Sequence, residues 1–247
     1  MAESSEKGKS SHPAKKGRGG GSRKGAAKPP RDFSALRRRL HPRIRALRDY
    51  VNETVRCSAA FYAAVLSGIH SVPDDFHEFL HQQGRRIQIG DRLIHMDPSL
   101  KGQQPRGWPA GSTFAEVGGV YSGNLVMVAE TIEDRGQLKP TPYVESHCRE
   151  ELGHALDEAL DQGSGPASHS DVDFVTAYRA EVRGIKDPTT RAVLDYLLQL
   201  GVAGQEETFA NLFALLYGGA VGPKVVQQLL RQNFPRTLQA VQKILPP

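Results

Sequence analysis

The stretch that most constrains the fold is an apolar stripe between Val144 and Ala159. Its apolar side chains recur at three- and four-residue spacings, the period of one face of an α-helix. Thr141 and Pro142 precede the stripe and suit an N-cap and a first helical turn. The pattern predicts a helix with one face against a core, formed by Val144, Cys148, Leu152, Ala155, Leu156 and Ala159.

A neighbouring face of this helix carries an incomplete metal-binding motif, E-E-L-G-H. In H-E-x-x-H peptidases, two histidines at i and i+4 bind zinc, and the glutamate between them activates the metal-bound water. Here His154 takes the second histidine position and Glu151 the general-base position, but Glu150 replaces the first histidine. Because a carboxylate also binds zinc, the i,i+4 pair of Glu150 and His154 still predicts a metal site.

A structural interpretation of the same residues stays open, because an acidic, solvated helix face has a similar composition. His147, Asp157, Glu158 and Asp161 all lie on this side of the helix. His147 does not replace the missing histidine on a regular helix, since seven residues separate it from His154 by about 10.5 Å of rise.

A second segment, E-E-T-F-A-N-L-F-A-L-L-Y, begins at Glu206 and has its own helical stripe. Glu207 and Asn211 lie on the polar side of that stripe. A glutamate from a later helix is the third zinc ligand in thermolysin-type sites. The alternative for Glu207 is a first-turn acid that the helix dipole favours.

Four blocks, in this order, are GQQPRGWPAGSTFAEVGGVY, EELGHALD, EETFANLFALLYGG and FPRTLQAVQKIL. They resemble the catalytic domain of the anthrax toxin lethal factor metallopeptidase family over about residues 70–245. The resemblance implies a zincin-like fold, zinc as cofactor, and a protein or peptide as substrate or partner. It also implies roles for single residues: Glu151 as general base, His154 and Glu207 as metal ligands, and Asn211 where the family has a glutamate that contacts the ligands.

The chain departs from the family at two positions. Glu150 stands where the family has a histidine ligand, which leaves Glu150, His154 and Glu207 as the expected ligand set. Leu200 stands at the position of the family's catalytic tyrosine, so Tyr196, about one helical turn earlier, would have to substitute. Two anionic ligands weaken the pull of a metal on its bound water. A metal-dependent peptidase and a catalytically silent zincin-fold protein-binding module, with a basic arm for anionic partners, therefore both remain hypotheses.

The basic charge of the chain is concentrated at its N-terminus. Residues 1–48 carry 15 Lys and Arg against 3 Asp and Glu, whereas the remaining residues carry 17 against 24. Residues 1–32 have almost no apolar side chains and are expected to form a disordered basic arm. The arm either contacts nucleic acid or another anionic surface, or acts as a solubilising tail. A helical lead-in over residues 33–70 and a lethal-factor-like metallopeptidase-type domain over residues 71–247 follow.

The remaining patterns predict an α+β fold that is mostly helical with a small sheet. Leu36, Leu40, Ile44, Leu47 and Val51 indicate a helix interrupted at Pro42. Strands are expected in residues 86–94 and, as a hairpin or an irregular edge strand, in residues 118–130. Further helices are expected at residues 171–184, 189–199, 205–217, 222–232 and 235–244.

The sequence leaves the compartment open. No apolar run approaches the 18 or so residues of a membrane helix, and the first residues lack the apolar segment of a secretory signal. Two cysteines, Cys57 and Cys148, are too few for a disulfide framework and favour a reducing compartment, with Cys148 in the core. The lethal factor family, by contrast, consists mainly of secreted toxins.

Overall fold

The computed structural model describes residues 40–53, 57–161 and 165–245. All of them belong to one compact unit, residues 33–247. The predicted disordered arm over residues 1–32 lies outside the described residues, as does Leu36 of the predicted first helix. Residues 40–53 and 57–70 contribute buried side chains to the same core as the rest of the unit. The domain boundary at residue 70 stays a prediction.

The described residues form an α+β fold that is mostly helical, as the sequence predicts. Its α-helices are α1 Pro42–Ala46, α2 Ala59–His70, α3 Asp74–Gln82, α4 Leu93–Met96, α5 Val144–Ala159, α6 Ala167–Ser170, α7 Val172–Gly184, α8 Pro188–Val193, α9 Val202–Leu216, α10 Lys224–Asn233 and α11 Pro235–Ile244. Its strands are β1 Val51–Glu53, β2 Arg86–Gly90, β3 Gly119–Ser122, β4 Leu125–Ala129, β5 Thr131–Asp134 and β6 Gln137–Pro140. Short 3-10 helices span Pro98–Leu100, Phe114–Glu116 and Asp195–Leu198.

The main sheet has the strand order β1-β2-β4-β3. β1, β2 and β4 are parallel, and β3 runs antiparallel to β4 at the edge of the sheet. Ile87 and Val126, which are paired in register, are both buried in the helical core. Met127, one residue on, contributes to a second apolar cluster with Leu93 and Met96, because successive side chains of a strand point to opposite faces. β4 is thus covered on both faces.

Helix α5 packs on α9, on α2 and on the sheet. Its predicted stripe is confirmed, since Cys148, Leu152, Ala155 and Leu156 are fully buried. Helix α5 approaches α9 closely at Gly153, where an added Cβ would lie 2.9 Å from the Cα and 3.0 Å from the carbonyl oxygen of Ala210. A glycine is therefore what allows the two helices to approach this closely.

Two local predictions are wrong, and a third segment agrees with its prediction only in part. Helix α5 does not begin at Thr141, because Tyr143 adopts a left-handed conformation (φ 53°) that turns the chain from β6 into the helix. Val51 lies in strand β1, where its partner is Ile87, rather than in a continued helix. The segment 118–130 does form the expected hairpin, but β4 is an interior strand, and the second hairpin, β5–β6, was not predicted.

No helix among residues 40–53, 57–161 and 165–245 combines the length and the apolar character needed to span a bilayer.

We predict that Gly153→Ala destabilises the protein by about 1–3 kcal/mol, because the new methyl group overlaps the backbone of α9. This cost exceeds the gain of up to about 1 kcal/mol that alanine brings to a helix. Gly184→Ala is the matched control, since Gly184 is also helical and has no atom within 4 Å of an added Cβ. Urea unfolding of the three proteins measures the difference. A Gly153→Ala variant as stable as Gly184→Ala would contradict this description of the interface.

Candidate active site

A cleft of about 1350 Å³ opens beside the contact between α5 and α9. Its walls are the loop 105–109, the edge strand β3, the polar face of α5, the 3-10 helix Asp195–Leu198 and the first turns of α9. Every predicted site residue lines this cleft except Asn211, which is buried behind it. The cleft is therefore where the chemistry suggested by the sequence would take place.

His154 and Glu207 meet in the cleft from different helices. The Nε2 atom of His154 lies 3.2 Å from Oε2 of Glu207, which is 5% exposed. His154 follows Gly153 directly, and Glu207 lies three residues before Ala210, so the close helix contact sets this distance. Two residues 53 positions apart in the sequence are thus held as a buried pair.

Tyr196 and Arg106 also bind Glu207. The Tyr196 hydroxyl lies near the Glu207 carboxylate and helps to lower its pKa, and the Arg106 guanidinium lies 3.4 Å from Oε1 of Glu207. Arg106 forms a second, shorter ion pair with Glu206. Leu200, at the position where the family has its tyrosine, is 96% exposed. Tyr196, unlike Leu200, therefore lines the cleft beside Glu207. Arg106 was not predicted from the sequence.

Glu150 is oriented by residues other than His154. Its Oε1 accepts a hydrogen bond of 2.6 Å from Nδ2 of Asn211, and its Oε2 lies 3.6 Å from Nδ1 of His147. Among the described residues, His147, Glu150 and Glu151 are a group whose ligand atoms all lie within 4.8 Å of one another. The expected set of Glu150, His154 and Glu207 is not brought together within that distance in the described part of the chain.

Glu151 is buried beneath the edge strand β3. Its carboxylate lies near the backbone N–H of Tyr121, which opposes the rise of its pKa, and an added Cβ at Gly119 would lie only 3.0 Å from its Oε1. Burial, together with the charges of Glu150 and Glu207, raises the pKa of Glu151 to about 8, although the nearby His154 opposes the shift. A carboxyl group with such a pKa can accept or release a proton near neutral pH.

The pair of His154 and Glu207 is charged. Burial alone would lower the pKa of His154, but its hydrogen bond to Glu207 and the charges of the surrounding carboxylates raise this pKa to about 10. Burial opposes ionisation of Glu207 as well, yet the hydrogen bond from His154 lowers the pKa of Glu207. Each partner keeps the other ionised.

The donor set of this cleft suits a divalent metal. It offers imidazole nitrogens and carboxylate oxygens, which are zinc ligands, and they are concentrated on α5 and α9. Nδ1 of His147 is buried and makes no hydrogen bond with the described residues, so one nitrogen donor is free. Three acids, Glu150, Glu151 and Glu207, lie close together at 5–8% exposure, an arrangement that a cation would stabilise.

Neither a protein-family model nor a curated protein matches this sequence. Among solved structures, the Pro-Pro endopeptidase PPEP-2 from Paenibacillus alvei is similar, with a TM-score of 0.55 and 22% sequence identity. The match covers 81% of this chain and 99% of that protein. The chain therefore has the fold of a solved endopeptidase. The resemblance to the lethal factor family is not confirmed by this match.

We predict that, in the presence of a chelator, the free energy of unfolding falls as pH rises from 6.5 to 10. The pKa of His154 is higher in the folded protein, about 10 against an ordinary 6.5, so its stabilisation is complete below pH 6.5 and is lost through pH 10. Glu151, raised from 4.5 to about 8, adds a loss between those values. Each group contributes a slope of up to about 1.4 kcal/mol per pH unit.

Urea unfolding at a series of pH values measures this slope. His154→Gln should flatten it above pH 8, and the surface variant His95→Gln should leave it unchanged. A pH-independent stability in the parent chain would contradict the described pairing of His154 with Glu207.

Proposed function

We propose that this chain is a zincin-type metallopeptidase-like protein, related to the lethal factor family, that hydrolyses peptide bonds with zinc held by Glu150, His154 and Glu207. The observation that carries the proposal is the buried contact of His154 with Glu207, 3.2 Å apart and contributed by two helices, in a cleft of an endopeptidase fold. A glutamate from a second helix beside a histidine of an E-x-x-H segment is the ligand geometry of this class of peptidase.

When bound, zinc supplies a Lewis acid that polarises the scissile carbonyl and lowers the pKa of a bound water. Glu151 is the proposed general base, because its buried carboxylate lines the cleft next to His154 and has a pKa near neutrality. Tyr196 lines the cleft beside Glu207, and its hydroxyl is proposed to donate to the oxygen that becomes negative during hydrolysis. Asn211 positions Glu150 through its hydrogen bond to Oε1.

The edge strand β3 supports a peptide as the substrate. Residues Gly119–Ser122 line the cleft, and β3 pairs with β4 on one side only. An exposed strand edge binds an extended peptide through backbone hydrogen bonds. Such binding would place the peptide near Glu151, whose carboxylate would lie 3.0 Å from a Cβ added at Gly119.

A second candidate function, a catalytically silent peptide-binding module, is favoured by the orientation of Glu150. Its two oxygens face Asn211 and His147 instead of His154. If Glu150 keeps this orientation, His154 and Glu207 remain an ion pair and the cleft binds peptide without cleaving it. In this case the basic arm would supply attachment to nucleic acid or other anionic partners.

We predict that the purified chain holds zinc and cleaves members of a peptide library in a chelator-sensitive manner. Glu151→Gln should lower the rate by about 10²–10⁴, because it removes the general base while keeping the shape of the side chain. Glu145→Gln is the control, since Glu145 is an exposed acid on the same helix.

Mass spectrometry of the metal content and of the peptide products measures both expectations. If the chain binds peptide but holds no metal and cleaves nothing, the silent module is supported and the peptidase is contradicted. Cleavage that persists in Glu151→Gln would contradict the assigned base.

A further inference from the structure

We infer that His147, Glu150 and Glu151 form a second divalent-cation site, one helical turn before His154. These residues occupy positions i, i+3 and i+4 of α5, so their side chains extend from neighbouring points of one helix face. Their ligand atoms all lie within 4.8 Å of one another. All three donors come from one helix, and Asn211 of α9 holds Glu150 in this orientation.

The distances suit a small cation. Nδ1 of His147 and Oε2 of Glu150 are 3.6 Å apart. Two donors of a tetrahedral zinc ion, each about 2.0–2.1 Å from the metal, lie about 3.4 Å from each other. Because Oε1 of Glu150 is occupied by the hydrogen bond from Asn211, its Oε2 is the oxygen that faces His147 and stays available as a ligand.

The charges point to a cation as well. Glu150 and Glu151 are 8% and 6% exposed, and neither forms an ion pair with a Lys or Arg of the described residues within 4 Å. The nearby cations His154 and Arg106 are already paired with Glu207. Buried carboxylates without a cation are costly, and so is a buried nitrogen without a hydrogen bond, as Nδ1 of His147 is here. One bound cation would satisfy all three side chains.

The backbone at Gly118 and Gly119 packs closely on the side chains of His147 and Glu151. An added Cβ at Gly118 would lie 3.2 Å from Nε2 of His147, and one at Gly119 would lie 3.0 Å from Oε1 of Glu151. Two consecutive glycines thus let the start of β3 pack directly on two of the donors. All three donors also line the cleft, which gives a cation a route of entry.

One imidazole nitrogen and two carboxylates favour zinc, cobalt or manganese, with solvent completing the coordination. A cation bound here takes Glu150 and Glu151 as ligands, and Glu151 is then unable to act as a base. Excess divalent metal should therefore inhibit peptide hydrolysis. The predicted inhibition depends on the proposed function, because it requires peptide hydrolysis. The cation site does not depend on it.

The test uses the full chain with His154→Ala and Glu207→Gln, which removes the ligands that only the proposed catalytic set uses. Titration with Co²⁺, followed by visible absorption, and with Zn²⁺, followed by calorimetry, should show one bound equivalent. Adding His147→Gln should weaken that binding by at least about 100-fold, because even the loss of a residue that only supports a ligand costs 10–100-fold. His169→Gln is the control, since His169 also pairs with a glutamate, Glu206, but lies outside the group.

Binding that is unchanged by His147→Gln, or a double variant that binds no cation, would overturn the inference. The second result, combined with zinc binding by the parent chain, would leave the proposed catalytic site intact. Conversely, the parent chain could fail to hydrolyse peptides while the double variant still binds Co²⁺ through His147. That pair of results would contradict the proposed function and support the cation site.

A second readout covers the case in which His147→Gln does not fold. Proton NMR of the Co²⁺-loaded double variant should show strongly shifted imidazole signals that belong to His147. Shifted signals from another histidine, or none, would overturn the site.

Discussion

The close contact between α5 and α9 is the constraint on which the site depends. Gly153 has no side chain, so the backbone of α9 at Ala210 reaches the surface of α5. This approach brings His154 and Glu207 to 3.2 Å across the helix interface. A larger residue at position 153 would separate the helices, and the two side chains that define the floor of the cleft would no longer meet.

The same helix contact concentrates buried carboxylates at the cleft. Glu150, Glu151 and Glu207 converge there, and the protein compensates only part of the charge, with His154 and Arg106 at Glu207. The raised pKa of Glu151 is a direct result of this burial. The arrangement destabilises the metal-free protein near neutral pH and stabilises any state in which a cation is bound. The carboxylates proposed to act in metal binding and catalysis therefore also lower the stability of the metal-free protein.

The elements that build the site could be predicted from the sequence because their periodicity is strong. The buried stripe of α5 and the span of α7 follow from apolar spacing, and their helices occupy the expected residues. The start of α5 could not be predicted from the Thr141–Pro142 signal, since the β5–β6 hairpin delivers the chain to Tyr143 in a left-handed conformation. Val51 fits a helical period, yet its pairing with Ile87 places it in the sheet.

The orientation of the side chains within the site could not be predicted from the sequence. Spacing alone puts Glu150 on the same stripe as His154, but hydrogen bonding by Asn211, a residue of another helix, turns it to His147. Arg106 could not be anticipated either, because it lies 101 residues from Glu207 in a loop without a regular pattern. The rise along α5 separates His147 from His154 by too much for one metal to bridge them. The carboxylates of Glu150 and Glu151 lie within reach of His147.

We propose that α5 and α9 build a zincin-type metal site that departs from the lethal factor family at position 150, beside the second departure at Leu200. The most direct measurement is the zinc affinity of Glu150→His compared with the parent chain and with the exposed variant Glu145→His, in one calorimetric series. We expect Glu150→His to bind zinc at least about tenfold more tightly than the parent, because two histidines and Glu207 then supply the ligand set of this class. The Glu145→His variant should match the parent. No gain in Glu150→His would contradict the claim, since it would mean that Glu207 and His154 do not converge on a metal.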